Sequence, residues 1–82
     1  MMTNFNSIIL PDLGVDTKEV FVGKIFVEQH QEVAENQVIM EVESDKATLE
    51  ITSDISGKIE LLVSEGTSVK KESELARVHV IQ

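Results

Sequence analysis

Few of the 82 residues are of types that could do chemistry. With no cysteine, the chain offers no thiolate nucleophile, no disulfide framework and no thiolate metal site. Its two histidines, His30 and His79, stand far apart and outside any metal-ligand spacing, so neither is assigned a role as ligand or general base. The position that stands out is Lys46. On its N-terminal side Val38, Met40 and Val42 alternate with Glu41 and Glu43, and on its C-terminal side Ala47, Leu49 and Ile51 alternate with Thr48, Glu50 and Thr52. Two period-two runs around a short polar break predict a β-hairpin whose tip lies within a residue or so of Asp45-Lys46, since a slip of two residues keeps apolar against apolar. With Asp45 and Lys46 as the central turn residues, Val42 faces Leu49, Met40 faces Ile51, and the other face sets Glu41 opposite Glu50. A turn lysine is ordinarily only a solvated charge. At a hairpin tip beside the small Ala47, however, its amine is open to a modifying enzyme without unfolding of the sheet. Glu43, Asp45 and Glu50 favour the charged ammonium, whereas a catalytic lysine needs burial or a cationic neighbour to lose its proton. Lys46 therefore reads as the acceptor of a covalent group and not as a catalyst.

The elements that must position this tip are strands. Valine and isoleucine supply 19 of 82 residues while alanine supplies three, a balance that favours pleated strands over helices. Apolar residues of both parities between Lys18 and Val27 predict a strand buried on both faces. Further strands are predicted at Ser7 to Leu10, Gln37 to Glu43, Ala47 to Thr52, Gly57 to Val63 and Glu74 to Val80. A displacement of 36 residues lays Ile25 on Leu61, Phe26 on Leu62, Val27 on Val63, Val33 on Val69, Ile39 on Leu75 and Val42 on Val78. Two copies of one strand unit, paired as a pseudo-two-fold body, account for that coincidence.

Composition bounds the function classes. A chain of 9.1 kDa makes one small domain, assigned here to residues 1–82 with its core at about 7–80. Seven Lys and Arg against fifteen Asp and Glu give a net charge of -8, which repels phosphate backbones and anionic lipid, so neither nucleic acid nor membrane is an expected partner. No apolar run exceeds three residues, which leaves no candidate for a membrane helix or a signal peptide and makes a cytoplasmic location the expectation.

Several segments together resemble the lipoyl domains of 2-oxo acid dehydrogenase complexes. They are Leu10-Pro11-Asp12-Leu13-Gly14, Glu43-Ser44-Asp45-Lys46-Ala47, Ser56-Gly57-Lys58-Ile59, and Val63 to Val69 with its Glu65-Gly66. The resemblance runs from about Ile8 to Val80. It implies an all-β fold: a flattened barrel of two four-stranded antiparallel sheets with quasi-two-fold symmetry, the barrel-sandwich hybrid of biotinyl and lipoyl carriers. It implies lipoate in amide linkage to Lys46, attached by a lipoate ligase or lipoyl transferase, and a carrier without its own catalytic site. The carried group would be reductively acylated by a thiamine-dependent 2-oxo acid dehydrogenase, deacylated to coenzyme A at a dihydrolipoamide acyltransferase core, and reoxidised by dihydrolipoamide dehydrogenase. Glu-Ser-Asp-Lys-Ala resembles bacterial pyruvate-complex domains in particular. In the family the loop after the first strand lies near the lipoyl lysine, which makes Gly14, Val15, Asp16, Thr17 and Lys18, with Glu43, Asp45 and Ala47, the candidates for partner recognition.

The chain departs from the family pattern at its turns. His30-Gln31 replaces a usual Gly-Asp, Thr52 and Asp54 stand where proline is usual, and Thr67 stands for aspartate. A non-glycine residue at a glycine turn either changes the turn or costs stability. A biotinyl carrier shares the fold and the tip lysine, but usually sets that lysine between two methionines, where this chain has Asp45 and Ala47. The glycine-cleavage carrier belongs to a longer family with additional helix. A pure interaction module, a small acidic barrel that binds a protein and carries nothing, is the alternative from another class.

Overall fold

The computed structural model describes residues 4–11, 20–45 and 47–80. Lys46 and the Gly14 to Lys18 loop lie outside the described residues. Eight strands follow in chain order: β1 Phe5–Ile9, β2 Val20–Ile25, β3 Glu32–Val33, β4 Val38–Ser44, β5 Thr48–Thr52, β6 Gly57–Leu61, β7 Ser68–Val69 and β8 Glu74–His79. They form two four-stranded sheets in the orders β1-β8-β6-β3 and β5-β4-β2-β7, with antiparallel pairing throughout. Six of the strands are those the apolar pattern predicts. The two that pattern reading alone did not identify, β3 and β7, have two residues each, too few to carry a period.

The 36-residue repeat is the architecture of the molecule. Shifting β2, β3 and β4 by 36 residues brings them onto β6, β7 and β8. The two sheet orders then become the same order, with β5 taking the place of β1. Backbone details repeat as well: Phe26 N–H donates to Ile39 C=O at 2.9 Å, and 36 residues on Leu62 N–H donates to Leu75 C=O at 3.0 Å. The non-glycine residues with left-handed backbone include Asn36 (φ 71°) and Glu72 (φ 68°), one repeat apart, and His30 (φ 68°) falls on Gly66 (φ 83°). His30 therefore keeps the conformation glycine would supply, and bears its steric cost.

Between the sheets lies one apolar cluster to which both contribute. Ile39, Met40, Val42, Ile59, Leu75, Ala76 and Val78 are fully enclosed, with Ile8, Leu10, Val20, Val22, Val27, Val33, Ile51 and Val69 around them. Gly57 is required there, because a Cβ on it would stand 2.2 Å from the His79 carbonyl oxygen where β6 crosses β8. One expectation fails. The segment from Lys18 to Val27 is not buried on both faces, since Phe21 is 40% exposed and Phe26 52% exposed. The register slips between Val22 and Ile25, and this bulge switches the inward parity, so Val20 and Val22 before it and Val27 after it face the core while Phe21 and Phe26 face solvent.

Candidate functional site

Of the registers the alternation allows, the hairpin of β4 and β5 has the one with Asp45 and Lys46 between its last paired residues. Val42 pairs with Leu49, Met40 with Ile51, Glu41 with Glu50 and Glu43 with Thr48. A slip between Val38 and Met40 lies at the far end from the tip, so it does not disturb these pairs. Met40 and Val42 are wholly buried and Ile51 nearly so, which anchors the hairpin to the core. Leu49 is only half-buried at the sheet edge, packed against the core and not within it. The apolar platform beneath the tip is therefore open on the Leu49 side, because β5 is the outermost strand of its sheet.

Ser44 closes the tip. Its N–H donates to the Ala47 carbonyl at 2.8 Å, and its Oγ both accepts the Ala47 N–H at 3.1 Å and donates to the Ala47 carbonyl at 3.1 Å. A hydroxyl that pairs across a turn is a common way of pinning it. Sequence reading did not single out Ser44, although a serine one residue before a predicted turn is the signal that could have done so. Asp45 and Ala47, the chain neighbours of Lys46, are both exposed. The tip therefore sets residue 46 between two solvent-facing neighbours on a backbone held by three hydrogen bonds. The chain on either side of position 46 thus has exposed side chains and a turn pinned through Ser44.

The surroundings of the tip are acidic. Glu43 and Glu50 are exposed, Glu41 is half-buried, and none of the three forms an ion pair with a described residue. The Glu43 side chain lies over Gly23, where an added Cβ would stand 3.1 Å from its carboxyl group. Phe21, opposite Glu43 on β2, adds an exposed aromatic ring to the same face. The structure thus brings Glu43, Asp45 and Ala47 to one end of the β4–β5 hairpin, while the Gly14 to Lys18 candidates fall outside the described residues. The histidines lie elsewhere. His30 is exposed in its turn, and His79 Nε2 is 2.9 Å from Glu60 Oε1 on the other sheet. Among the described residues no cluster of histidine, cysteine and carboxylate side chains could hold a metal, and no helix is long and apolar enough to cross a membrane.

Comparison with known proteins agrees with this geometry. The biotin/lipoyl family model, described as "Biotin-requiring enzyme", matches residues 6–78. The chain is 48% identical over 59 residues to the dihydrolipoyllysine-residue acetyltransferase component of the pyruvate dehydrogenase complex of Bacillus subtilis, a match covering 71% of this chain and 13% of that protein. It is 39% identical over 72 residues to the lipoamide acyltransferase component of the branched-chain alpha-keto acid dehydrogenase complex of Pseudomonas putida, covering 87% of this chain and 17% of that protein. It is 36% identical over 70 residues to the dihydrolipoyllysine-residue succinyltransferase component of the 2-oxoglutarate dehydrogenase complex of Bartonella vinsonii, covering 84% and 17%. The chain thus spans less than a fifth of the length of these relatives. A match over residues 6–78, on two antiparallel four-stranded sheets that exchange under the internal repeat, places the chain in the biotin/lipoyl family of carrier domains.

Proposed function

We propose that this chain is a swinging-arm acyl carrier in which Lys46 holds lipoate in amide linkage. The observation that carries this reading is the hairpin tip: Ser44 and Ala47 lock the turn, and the exposed Asp45 and Ala47 flank Lys46 in the chain. When bound, lipoate supplies a disulfide that takes up an acyl group together with two electrons, chemistry that belongs to the cofactor. The protein's own residues do three things. Met40, Val42 and Ile51 root the strands of the hairpin in the core. Ser44 fixes the direction of the chain through the turn. Glu43, Asp45 and Glu50 give the end of the hairpin a negative field, which grows when amide formation removes the Lys46 charge and takes the formal net charge from -8 to -9. Such a field raises the association rate with a basic partner, and salt weakens it.

The partners in this reading are a lipoate ligase or lipoyl transferase, a thiamine-dependent 2-oxo acid dehydrogenase, the dihydrolipoamide acyltransferase to which the domain belongs or docks, and dihydrolipoamide dehydrogenase. Its support is that the relatives named above are acyltransferase components of three such complexes. Pyruvate is the favoured 2-oxo acid because of the Glu43 to Ala47 segment and its likeness to the pyruvate-complex relative. Lipoate is preferred to biotin because Lys46 lies between Asp45 and Ala47 and not between methionines. The test is mass analysis after incubation with a lipoate ligase and, separately, a biotin ligase. The parent chain should gain one lipoyl group and Lys46→Arg none, with the fold of the variant unchanged. A lipoyl adduct on Lys46→Arg overturns the assignment of the site, and a biotin adduct on the parent overturns that of the cofactor.

A further inference from the structure

Each sheet ends in an edge strand of only two residues, β3 beside β6 and β7 beside β2. Short edge strands leave the inner neighbour with backbone groups that have no strand to pair with. On the first sheet the β3–β6 ladder starts at Val33 opposite Gly57 and Glu32 opposite Lys58. It continues as Ile59 N–H donates to the Gln31 carbonyl and His30 N–H to the Ile59 carbonyl, both at 2.9 Å. At His30 the backbone turns away through its left-handed φ of 68°. The next place in the register, opposite Leu61, falls to Gln29, and its side chain takes it: Oε1 accepts the Leu61 N–H, and Nε2 donates to the Leu61 carbonyl at 3.1 Å. A primary amide offers the same donor and acceptor as a peptide group.

The second sheet repeats the device 36 residues on. Val22 N–H donates to the Thr67 carbonyl at 2.9 Å and Gly66 N–H to the Val22 carbonyl at 2.8 Å, and the backbone then leaves at Gly66, φ 83°. Glu65, one repeat after Gln29, accepts the N–H of Ile25, one repeat before Leu61, at 2.8 Å. The extra residue of the bulge in β2 moves this partner one place along. Here the likeness is incomplete, since a carboxylate accepts and has no N–H to return.

We propose that Gln29 and Glu65 are positioning residues whose side chains act as one-residue continuations of β3 and β7, completing the two ladders where the chain crosses from one sheet to the other. Each fixes the register just before the hydrogen bonds that seat the crossings, Phe26 to Ile39 and Leu62 to Leu75. The Glu65 closure also holds the bulged end of β2, the strand whose other end pairs Val20 with Ser44 at the hairpin tip. The inference does not depend on what Lys46 carries.

Amide hydrogen exchange, read residue by residue on the 82-residue protein, tests it. Glu65→Ala should speed exchange at Ile25 about five- to tenfold, the equivalent of one lost hydrogen bond, and leave Leu61 at the parent rate. Gln29→Ala should do the reverse. Glu65→Gln should restore slow exchange at Ile25 because the amide oxygen still accepts, and Gln29→Glu should keep Leu61 slow for the same reason. If the alanine variants speed every amide of both sheets alike, or if neither conservative variant differs from alanine, the side chains are not completing the ladders and the inference fails. Should an alanine variant not fold, Glu65→Gln and Gln29→Glu still decide it: loss of protection at Ile25 or Leu61 in the conservative variant overturns the proposal.

Discussion

On the outer face of the first sheet Arg77 lies 5.0 Å above the ring of Phe5 and pairs with Glu74 at 2.7 Å, while His79 sits 5.4 Å from the same ring and 2.9 Å from Glu60. One repeat earlier, on the second sheet, Glu41 takes the place of Arg77 and Glu43 that of His79, and Glu41 stands directly opposite Glu50. Like charges in direct cross-strand opposition destabilise a sheet. One backbone plan therefore supports a paired, charge-balanced face and a bare acidic one. The fold does not require the acid. What differs between the faces is that the second sheet carries the β4–β5 hairpin, whereas at the equivalent place on the first sheet β8 pairs with β1, two strands not joined by a turn, where Val80 N–H donates to the Asn4 carbonyl at 2.9 Å. The imbalance of charge thus follows the proposed site, and the interior, common to both sheets, sets the stability.

The sharpest way to break the comparison is through the two glycines of the β2 and β6 strands. At Gly57 an added Cβ meets the backbone of His79 at 2.2 Å, and backbone inside a paired strand cannot withdraw. Gly57→Ala should cost about 3 kcal/mol or more, measured as a shift of the denaturant midpoint. At Gly23 the atoms met, at 3.1 Å, belong to the Glu43 side chain, which can swing into solvent. Gly23→Ala should stay within about 0.5 kcal/mol. Equal effects would mean that β6 and β8 can separate locally as easily as a side chain moves.

A second contrast, between depth and edge, is smaller. Leu75 is wholly buried at the centre of the first sheet, and Leu75→Ala should cost about 2–5 kcal/mol. Leu49, half-buried on the outermost strand of the second sheet, should cost about 1–2 kcal/mol on truncation to alanine. If denaturant unfolding gives Leu49→Ala the loss found for Leu75→Ala, the apolar platform under the tip is closed after all.

How much of this was legible beforehand depended on whether a residue's role leaves a period in the chain. The β4–β5 hairpin was readable in its inward face and to within a residue or so at its tip, because strict alternation on both sides of Asp45 and Lys46 fixes the parity of pairing; the choice among registers of that parity came from the structure. The repeat was readable because six apolar positions recur at one displacement. Phe21 and Phe26 misled, since hydrophobic side chains on both parities look like a strand buried on two faces, and the sequence does not mark the bulge that changes parity. β3 and β7 are too short to show alternation. Gln29, Glu65 and Ser44 act through polar side chains bonded to backbone far off or across a turn, and such bonds depend on neighbours that the local sequence does not name.

The smallest effects belong to the two outer faces, and they should respond to solution conditions in different ways. Placing a cation opposite Glu41 by Glu50→Lys turns a repulsive cross-strand pair into an attractive one, with a gain of about 0.2–1 kcal/mol at low salt that fades as ionic strength rises. On the first sheet the hydrogen bond from Arg77, and then that from Ser7, hold the Glu74 carboxyl below the usual carboxylate range. A carboxyl group whose proton affinity is lowered by folding stabilises the folded state wherever it is ionised in both states. That contribution is complete above the ordinary carboxylate range and is lost as pH falls through the lowered value. Glu74→Gln should therefore be less stable than the parent at neutral pH, and the two unfolding midpoints should converge as the solution is acidified. The pair is partly open to water, so the difference belongs among the modest effects of surface ion pairs. A gap between parent and Glu74→Gln that stays constant from neutral to acid pH would show that the glutamate acts through packing and not charge. The two outer faces would then differ in shape as much as in electrostatics.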